Sequence, residues 1–282
     1  MILVTGGKGF LGQVLTQKLV AQGHAVISPG SNECDFSKEA ALAYLRSISP
    51  KYIFHLAGKT GIPMSWQNPA AFYQANVDTT RILLEYCREN KTPIHYVSAY
   101  IYGNQGPYPI SEEARVEPNN PYAHSKWIAE ELCRFYHRFY SVPMTISRPF
   151  NIYGPGQSPH FFIPRILSLL RTQETVKVLD LTPKRDYVFV DDVADALIAI
   201  MRYGLTGNCY NIGTGLSFSC KEVIALMQSL LGTQKSVLSD EKTRPEEISH
   251  AQANRDKLTQ TTGWVPRYSL VQGLTKCLSQ NL

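Results

Sequence analysis

Ile2-Leu3-Val4-Thr5-Gly6-Gly7-Lys8-Gly9-Phe10-Leu11-Gly12 opens the chain with a short apolar run that breaks into glycines at 6, 9 and 12. The run predicts a buried strand, the residues after it read as an amphipathic helix, and the turn between them suits a dinucleotide lying against a helix N-terminus. Each glycine has a mechanical reason. Gly6 permits the tight turn, Gly9 lets the backbone approach a pyrophosphate, and Gly12 allows close helix-on-strand packing. A glycine pattern alone carries little weight; strand, turn and helix in succession give it meaning.

Outward from that turn, short apolar runs alternate with longer helical patterns. Segments 2–4, 25–27, 52–56, 94–97 and 144–146 read as strands, and segments 11–21, 38–48, 69–88 and 121–140 as helices. This alternation predicts an α/β fold, a Rossmann-type doubly wound parallel sheet with helices on both faces. After about residue 150 the pattern loosens. Segment 149–159 is rich in turn residues and is expected to line a cleft. Beyond it the sequence predicts a helix near 163–170, a return to the sheet near 187–190, a strand near 210–212, and helices over 220–231 and 270–278. The expected organisation is an NAD(P)-binding domain over 1–150, with a return segment near 180–215, and a smaller interleaved substrate lobe over 151–282.

Charge and cysteine usage narrow the function classes. The 282 residues carry 28 basic and 23 acidic side chains, net +5, scattered rather than gathered into a stripe. That suits an anionic small ligand and argues against nucleic acid. Cysteines at 34, 87, 133, 209, 220 and 277 show neither paired metal-ligand spacing nor a short secreted framework, so they read as thiols in a reducing cytoplasm. Met1 runs directly into the first strand, so no leader is expected, and no apolar run approaches a membrane span. No metal site is expected: Asp191-Asp192 before an apolar helix reads as a cap. His55 and His95, inside apparent strands, read as satisfied core residues.

The chemistry is carried by Pro121-Tyr122-Ala123-His124-Ser125-Lys126, where Tyr122 and Lys126 stand four apart and so on one helix face. A phenol ordinarily titrates near ~10. Proton exchange near neutrality therefore calls for a lowered pKa, which Lys126 and a positive nicotinamide ring are expected to supply. Ser98 follows strand 94–97, where strand ends meet ligands in such sheets, and is expected to hold the substrate oxygen. Alone, a Tyr/Lys pair at this spacing is a common helix-surface contact; with the glycine turn and Ser98 it reads as hydride chemistry on an alcohol or ketone. The place for an acid on the adenosine ribose holds Ser28-Pro29-Gly30-Ser31, and Asp35 is expected to border the adenine. With no carboxylate expected beside Lys8 to repel a second phosphate, the reading is NADP(H) ahead of NAD(H); the alternative for Lys8 is a solvated surface lysine.

Over essentially its whole length the chain resembles the extended short-chain dehydrogenase/reductase family, the NAD(P)-dependent epimerases, dehydratases and reductases of nucleotide sugars. Thr5 to Gly12 is similar to its glycine motif, Phe54-His55-Leu56-Ala57-Gly58 to its fourth strand, Asn76-Val77 to its helix-bend asparagine, Ser98 to Gly103 to its catalytic-serine segment, and Tyr122 to Lys126 to its YxxxK. The resemblance implies catalytic roles for Ser98, Tyr122 and Lys126. It implies cofactor contacts from Gly6, Lys8, Gly9, Phe10, Leu11, Gly12, Asp35, Phe36, Leu56, Ala57, Gly58, Lys59, Asn76, Tyr122, Lys126 and Pro149. Thr79 departs from the pattern, standing where the family usually has glycine, and the departure bears on local helix packing.

Substrate-side segments Ser65 to Pro69, Arg148 to Asn151, Gly154 to Pro159, Lys184 to Asp186 and Thr243 to Glu246 are similar to reductases of GDP-4-keto-6-deoxy-mannose. That implies substrate contacts from Tyr100, Asn151, Arg185 and Arg244. A guanidinium fork matches diphosphate oxygens bidentately, although Arg185 beside Asp186 also reads as an ion pair and Asn151 as a turn residue. A 4,6-dehydratase of the family carries carboxylic acids where this chain has Ala99 and Tyr100, so dehydration is excluded. A double epimerase-reductase would want a cysteine at Tyr100 and a histidine, for which His160 is the candidate, though it reads more simply as a loop residue. Two enzyme readings follow: reduction of a nucleotide-linked 4-keto-6-deoxy sugar with Tyr122 as proton donor, or 4-epimerisation of a UDP-sugar type with tightly held NAD. A non-catalytic nucleotide-sensing protein would be expected to show a broken Ser/Tyr/Lys set, and the set is intact. By analogy, helices over 76–89 and 122–139 pair across a two-fold axis in a homodimer.

Overall fold

The structure, a computed structural model, describes residues 1–242 and 246–279. Six parallel strands form the central sheet in the order Val26–Ile27, Ile2–Thr5, Tyr52–His55, Ile94–Val97, Met144–Pro149 and Cys209–Ile212. Chain direction across the sheet reverses at the first strand, and a sheet of this kind opens its crevice at the carboxyl ends around that point. The strands are apolar on both sides because helices cover both faces. On one face Leu3, Ile53, Ile94 and Ile146 pack with Leu45, Leu83 and Cys133. On the other, Val4, Phe54 and Tyr210 pack with Leu15, Leu19, Val193 and Leu197. A third cluster, including Tyr153, Leu167, Phe189, Met227 and Leu274, forms the core of the C-terminal part.

Helices Pro121–Tyr140 and Cys220–Leu231 stand where the sequence predicts them. The helical pattern over 69–88 is broken instead into Pro69–Tyr73, a π turn over Gln74–Asp78, and Thr79–Asn90. The wider turn suits the bonds Asn76 makes to elements beyond its own helix: its Oδ1 accepts from Lys59 N at 2.8 Å and its Nδ2 donates to Ser125 Oγ at 2.8 Å. Thr79 continues the helix at φ −58° and ψ −45° and is buried, so the departure from glycine leaves the packing intact. The expected return to the sheet near 187–190 does not occur. Tyr187–Phe189 pairs with Asn151–Tyr153 in a separate two-stranded sheet, and Cys209–Ile212 makes the return.

Asp191 and Asp192 are not side-chain caps. Helix Val190–Tyr203 begins at Phe189 with no side-chain cap, and Asp192 accepts from Arg267 N and Tyr268 N, both at 3.0 Å, tying the C-terminal segment to the helix. Asp191 lies 3.4 Å from Lys18 Nζ.

The strand histidines are satisfied in the core, as expected. His55 hydrogen-bonds Thr5 Oγ1 and Thr80 Oγ1, each at 2.9 Å, and His95 hydrogen-bonds Thr145 Oγ1 at 2.8 Å and Ser147 Oγ at 2.9 Å. Burial pulls both imidazoles down to about 3. Their folded pKa lies below the unfolded one, so the unfolded chain takes up protons first as pH falls. The stability they contribute is full above the unfolded pKa of ~6.5 and is lost progressively toward the folded value. Between about pH 7.5 and about pH 5 the unfolding free energy is expected to fall by ~2 kcal/mol per histidine, measured by urea titration, and by less in His95→Gln.

Candidate active site

The glycine turn has the geometry its sequence implies. Gly6 sits at φ +71°, and a Cβ there would lie 2.7 Å from Ala57 N; a Cβ on Gly12 would lie 2.2 Å from Gly6 O. Both positions exclude any side chain. Above the turn lies a cleft of ≈ 530 Å³, lined by Gly6, Lys8 and Gly9, by Asp35 and Phe36, and by Ala57, Gly58 and Lys59. Gly12 and Asn76 support it through the contacts already given. Leu11 and Leu56 pack partly against the core, Pro149 is the last residue of its strand, and Phe10 Cζ lies 3.5 Å from where a Cβ on Gly154 would be. Asp35 is held below the usual carboxylate range by bonds from Ser37 Oγ at 2.7 Å and Ser37 N at 3.0 Å.

Residues outside the expected cofactor contacts also line this cleft: Pro29, Gly30 and Ser31 just after the second strand, then Cys34 and Ser37, and Ala71, Gln74, Ala75 and Thr79 along the bent helix. The first three follow from the strand-end rule; the last four depend on the π turn. The premise behind NADP(H) also changes. A carboxylate does stand beside Lys8, because Glu33 forms an ion pair with its Nζ.

At the other end of the site, Ser98 follows the central strand Ile94–Val97 and its N donates to Ser147 O at 2.8 Å. Its hydroxyl is buried and has no hydrogen-bond partner among the described residues. Lys126, also buried, donates from Nζ to Val97 O at 2.7 Å and lies 4.7 Å from the centre of the Tyr96 ring. A Cβ on Gly58 would lie 3.8 Å from that Nζ, so helix Pro121–Tyr140 and the cleft wall meet. Tyr122 packs with Ala99, Ile101 and Ala123 beside the serine segment, and its ring meets Phe72 edge-on.

Acid-base properties differ from the expected lowering. Burial pushes the Tyr122 phenol up to about 12 and pulls the Lys126 amine down to about 8, a fall the nearby Glu130 carboxylate partly offsets. Burial alone sets the phenol, with no contribution from the Lys126 charge, so it holds its proton at neutrality.

On the substrate side, the structure brings Tyr100 and Arg185 near one another: after burial and the neighbouring Tyr108, the charge of Arg185 is felt at the Tyr100 phenol. Tyr100 donates to Gly103 O at 2.8 Å and stacks edge-on against Phe150. Arg185 pairs with Glu247, not with its neighbour Asp186. Asp186 is buried and accepts from Thr214 N, Thr214 Oγ1, Gly215 N and Ala253 N. Asn151 opens its strand with N donating to Asp186 O at 3.0 Å. Arg244 lies outside the described residues, and His160 is exposed. The histidine on this wall is His250, which the sequence reading missed: it bonds Ser217 Oγ at 2.8 Å, and its ring centre lies 3.9 Å from that of Tyr108.

Residues 2–213 match the NAD dependent epimerase/dehydratase family. The GDP-6-deoxy-D-mannose reductase of Pseudomonas aeruginosa is 30% identical, across 99% of this chain and 96% of that protein. The solved structure of RMD from Pseudomonas aeruginosa complexed with NADPH has a TM-score of 0.90 at 28% identity, covering 99% of this chain and 97% of that one. UDP-glucose 4-epimerase of Thermotoga maritima with UDP-glucose gives a TM-score of 0.92 at 28% identity, covering 98% and 97%. Among the described residues no helix is long and apolar enough to cross a membrane.

Proposed function

The chain belongs to the NAD dependent epimerase/dehydratase family, and from that membership we propose that it reduces the 4-keto group of a nucleotide-linked 4-keto-6-deoxy sugar, with Tyr122 giving the proton. The observation that carries this reading is the Ser98 hydroxyl, buried and unpartnered beside the anchor of Lys126. A buried hydroxyl without a partner is costly unless a ligand completes it. The cleft above Gly6 and Gly9, with Gly12 packed closely beneath the turn, fits a dinucleotide.

A bound reduced nicotinamide would supply the hydride. Ser98 hydrogen-bonds the sugar oxygen where charge develops, and Tyr122, protonated at neutrality, transfers its proton to that oxygen. Lys126, fixed by Val97 O, keeps a positive charge near the phenol. Asn76 fixes the bend of the cleft wall through Lys59 and Ser125. In this reading residues 1–150 take the cofactor and the part after 150 takes the nucleotide sugar, with Tyr100, Asn151 and Arg185 offered to its diphosphate and sugar.

A 4-epimerase would use the same residues but begin with oxidation, which needs a phenolate. Cofactor consumption separates the two readings. The test is to incubate the protein with NADH or NADPH and GDP-, dTDP-, CDP- and UDP-4-keto-6-deoxy sugars: a reductase oxidises one cofactor per sugar, whereas an epimerase purifies with its nucleotide and shows no net consumption. The proposal includes a homodimer through the exposed Phe135 and Phe139 of the catalytic helix, which sedimentation would read as twice the chain mass.

A further inference from the structure

At the end of the cleft that follows the second strand, the glycine-turn cation is already engaged. Glu33 pairs with Lys8 Nζ and also accepts from Gly30 N at 3.3 Å. Its own N, and that of Cys34, return to Gly30 O at 2.9 Å and 3.0 Å, so the turn that carries Glu33 closes on Gly30. Gly30 makes room for the pair. A Cβ there would lie 2.9 Å from Lys8 Nζ and 3.3 Å from its Cδ. Lys8, Gly30 and Asp35 all line the cleft; Lys8 is paired with Glu33, and Asp35 is held by Ser37.

In doubly wound dinucleotide sites an acid near this strand end takes the adenosine ribose hydroxyls, whereas a cation available to an added 2′-phosphate selects the phosphorylated cofactor. We propose that Glu33 sets the cofactor choice of this site in favour of NAD(H), by occupying Lys8 and by keeping a further carboxylate where a 2′-phosphate would bring more negative charge. This assignment rests on the NAD(P) reading of the cleft. Glu33 is ionised across the neutral range, since the Lys8 contact and the Gly30 amide hold it below ordinary carboxylates. The strand-end rule alone misses it, because the acid stands beyond the strand end and reaches back to residue 8.

The experiment measures Kd for NADH and for NADPH by nicotinamide fluorescence, with no sugar present. The unmodified protein binds NADH more tightly than NADPH by about tenfold or more, and Glu33→Gln shifts that ratio toward NADPH by about tenfold or more, as expected when one charge-assisted contact is released. Lys8→Met placed in the Glu33→Gln protein removes the gain. Tighter NADPH binding by the unmodified protein, or a ratio unmoved in Glu33→Gln, overturns the assignment. If neither nucleotide binds, the cofactor reading of the cleft fails and this assignment with it; binding with an unmoved ratio sinks the assignment alone.

Discussion

Tyr122→Phe is expected to lose about a thousandfold in kcat on a nucleotide-linked 4-keto sugar while its Kd for NAD(P)H stays within about twofold, the range a positioned general acid commands. The substitution removes one oxygen and keeps the ring that packs on Ala99, Ile101, Ala123 and Phe72, so the fold has no reason to change. What is lost is the proton that burial holds on the phenol at neutral pH. The Ser98 hydroxyl remains to bind the sugar oxygen, so substrate affinity should fall far less than turnover. Stopped-flow absorbance of the reduced cofactor, with binding measured separately, checks both halves. A rate within tenfold of the unmodified protein would remove Tyr122 from the chemistry.

Glu130→Leu is expected to cost about 3–5 kcal/mol, because it leaves a buried guanidinium with no counter-charge. Arg148 is 2% exposed and Glu130 fully buried. Their contact is bidentate, Nε to Oε1 at 3.0 Å and Nη2 to Oε2 at 2.6 Å. Arg148 also donates from Nη1 to Tyr102 Oη at 3.0 Å, and Tyr102 in turn donates to Asn211 Oδ1 at 2.6 Å. The pair therefore ties helix Pro121–Tyr140, one turn beyond Lys126, to the strand beside Ile94–Val97, which Ser98 follows. Thermal unfolding should drop by ~10 °C in a chain of this size. Glu130→Leu combined with Arg148→Met should recover most of the loss, since an apolar pair of similar volume carries no stranded charge. An unchanged midpoint in the single variant would mean that Arg148 reaches solvent.

Much of this was legible in the chain itself because its determinants are local. The strands at 2–5, 52–55 and 94–97 are short, mainly apolar runs, helix Pro121–Tyr140 opens with Asn120 and Pro121 as a cap and first turn, and the glycine turn needs no partner to define it. The remainder depends on contacts between distant residues. The helix bend at Asn76 is legible through the resemblance, but its form as a π turn is not; it accompanies the bonds of Asn76 to Lys59 and Ser125. Glu33 at Lys8, Glu247 at Arg185 and Glu130 at Arg148 are all pairs across turns or elements, and charge spacing along the chain does not choose among carboxylates. The Tyr122 proton was misread for a related reason: spacing reveals the neighbouring ammonium, whereas the opposing effect of burial becomes visible only in the packed structure.

The most direct measurement of the central claim uses a cofactor carrying deuterium at the transferable position of its nicotinamide, in a reaction with a nucleotide-linked 4-keto-6-deoxy sugar followed by mass spectrometry and proton NMR of the product. Reduction at this site predicts a product sugar one deuterium heavier, labelled at carbon 4, with one cofactor oxidised per sugar. A 4-keto sugar recovered without deuterium, or a labelled cofactor that stays unspent, would contradict it.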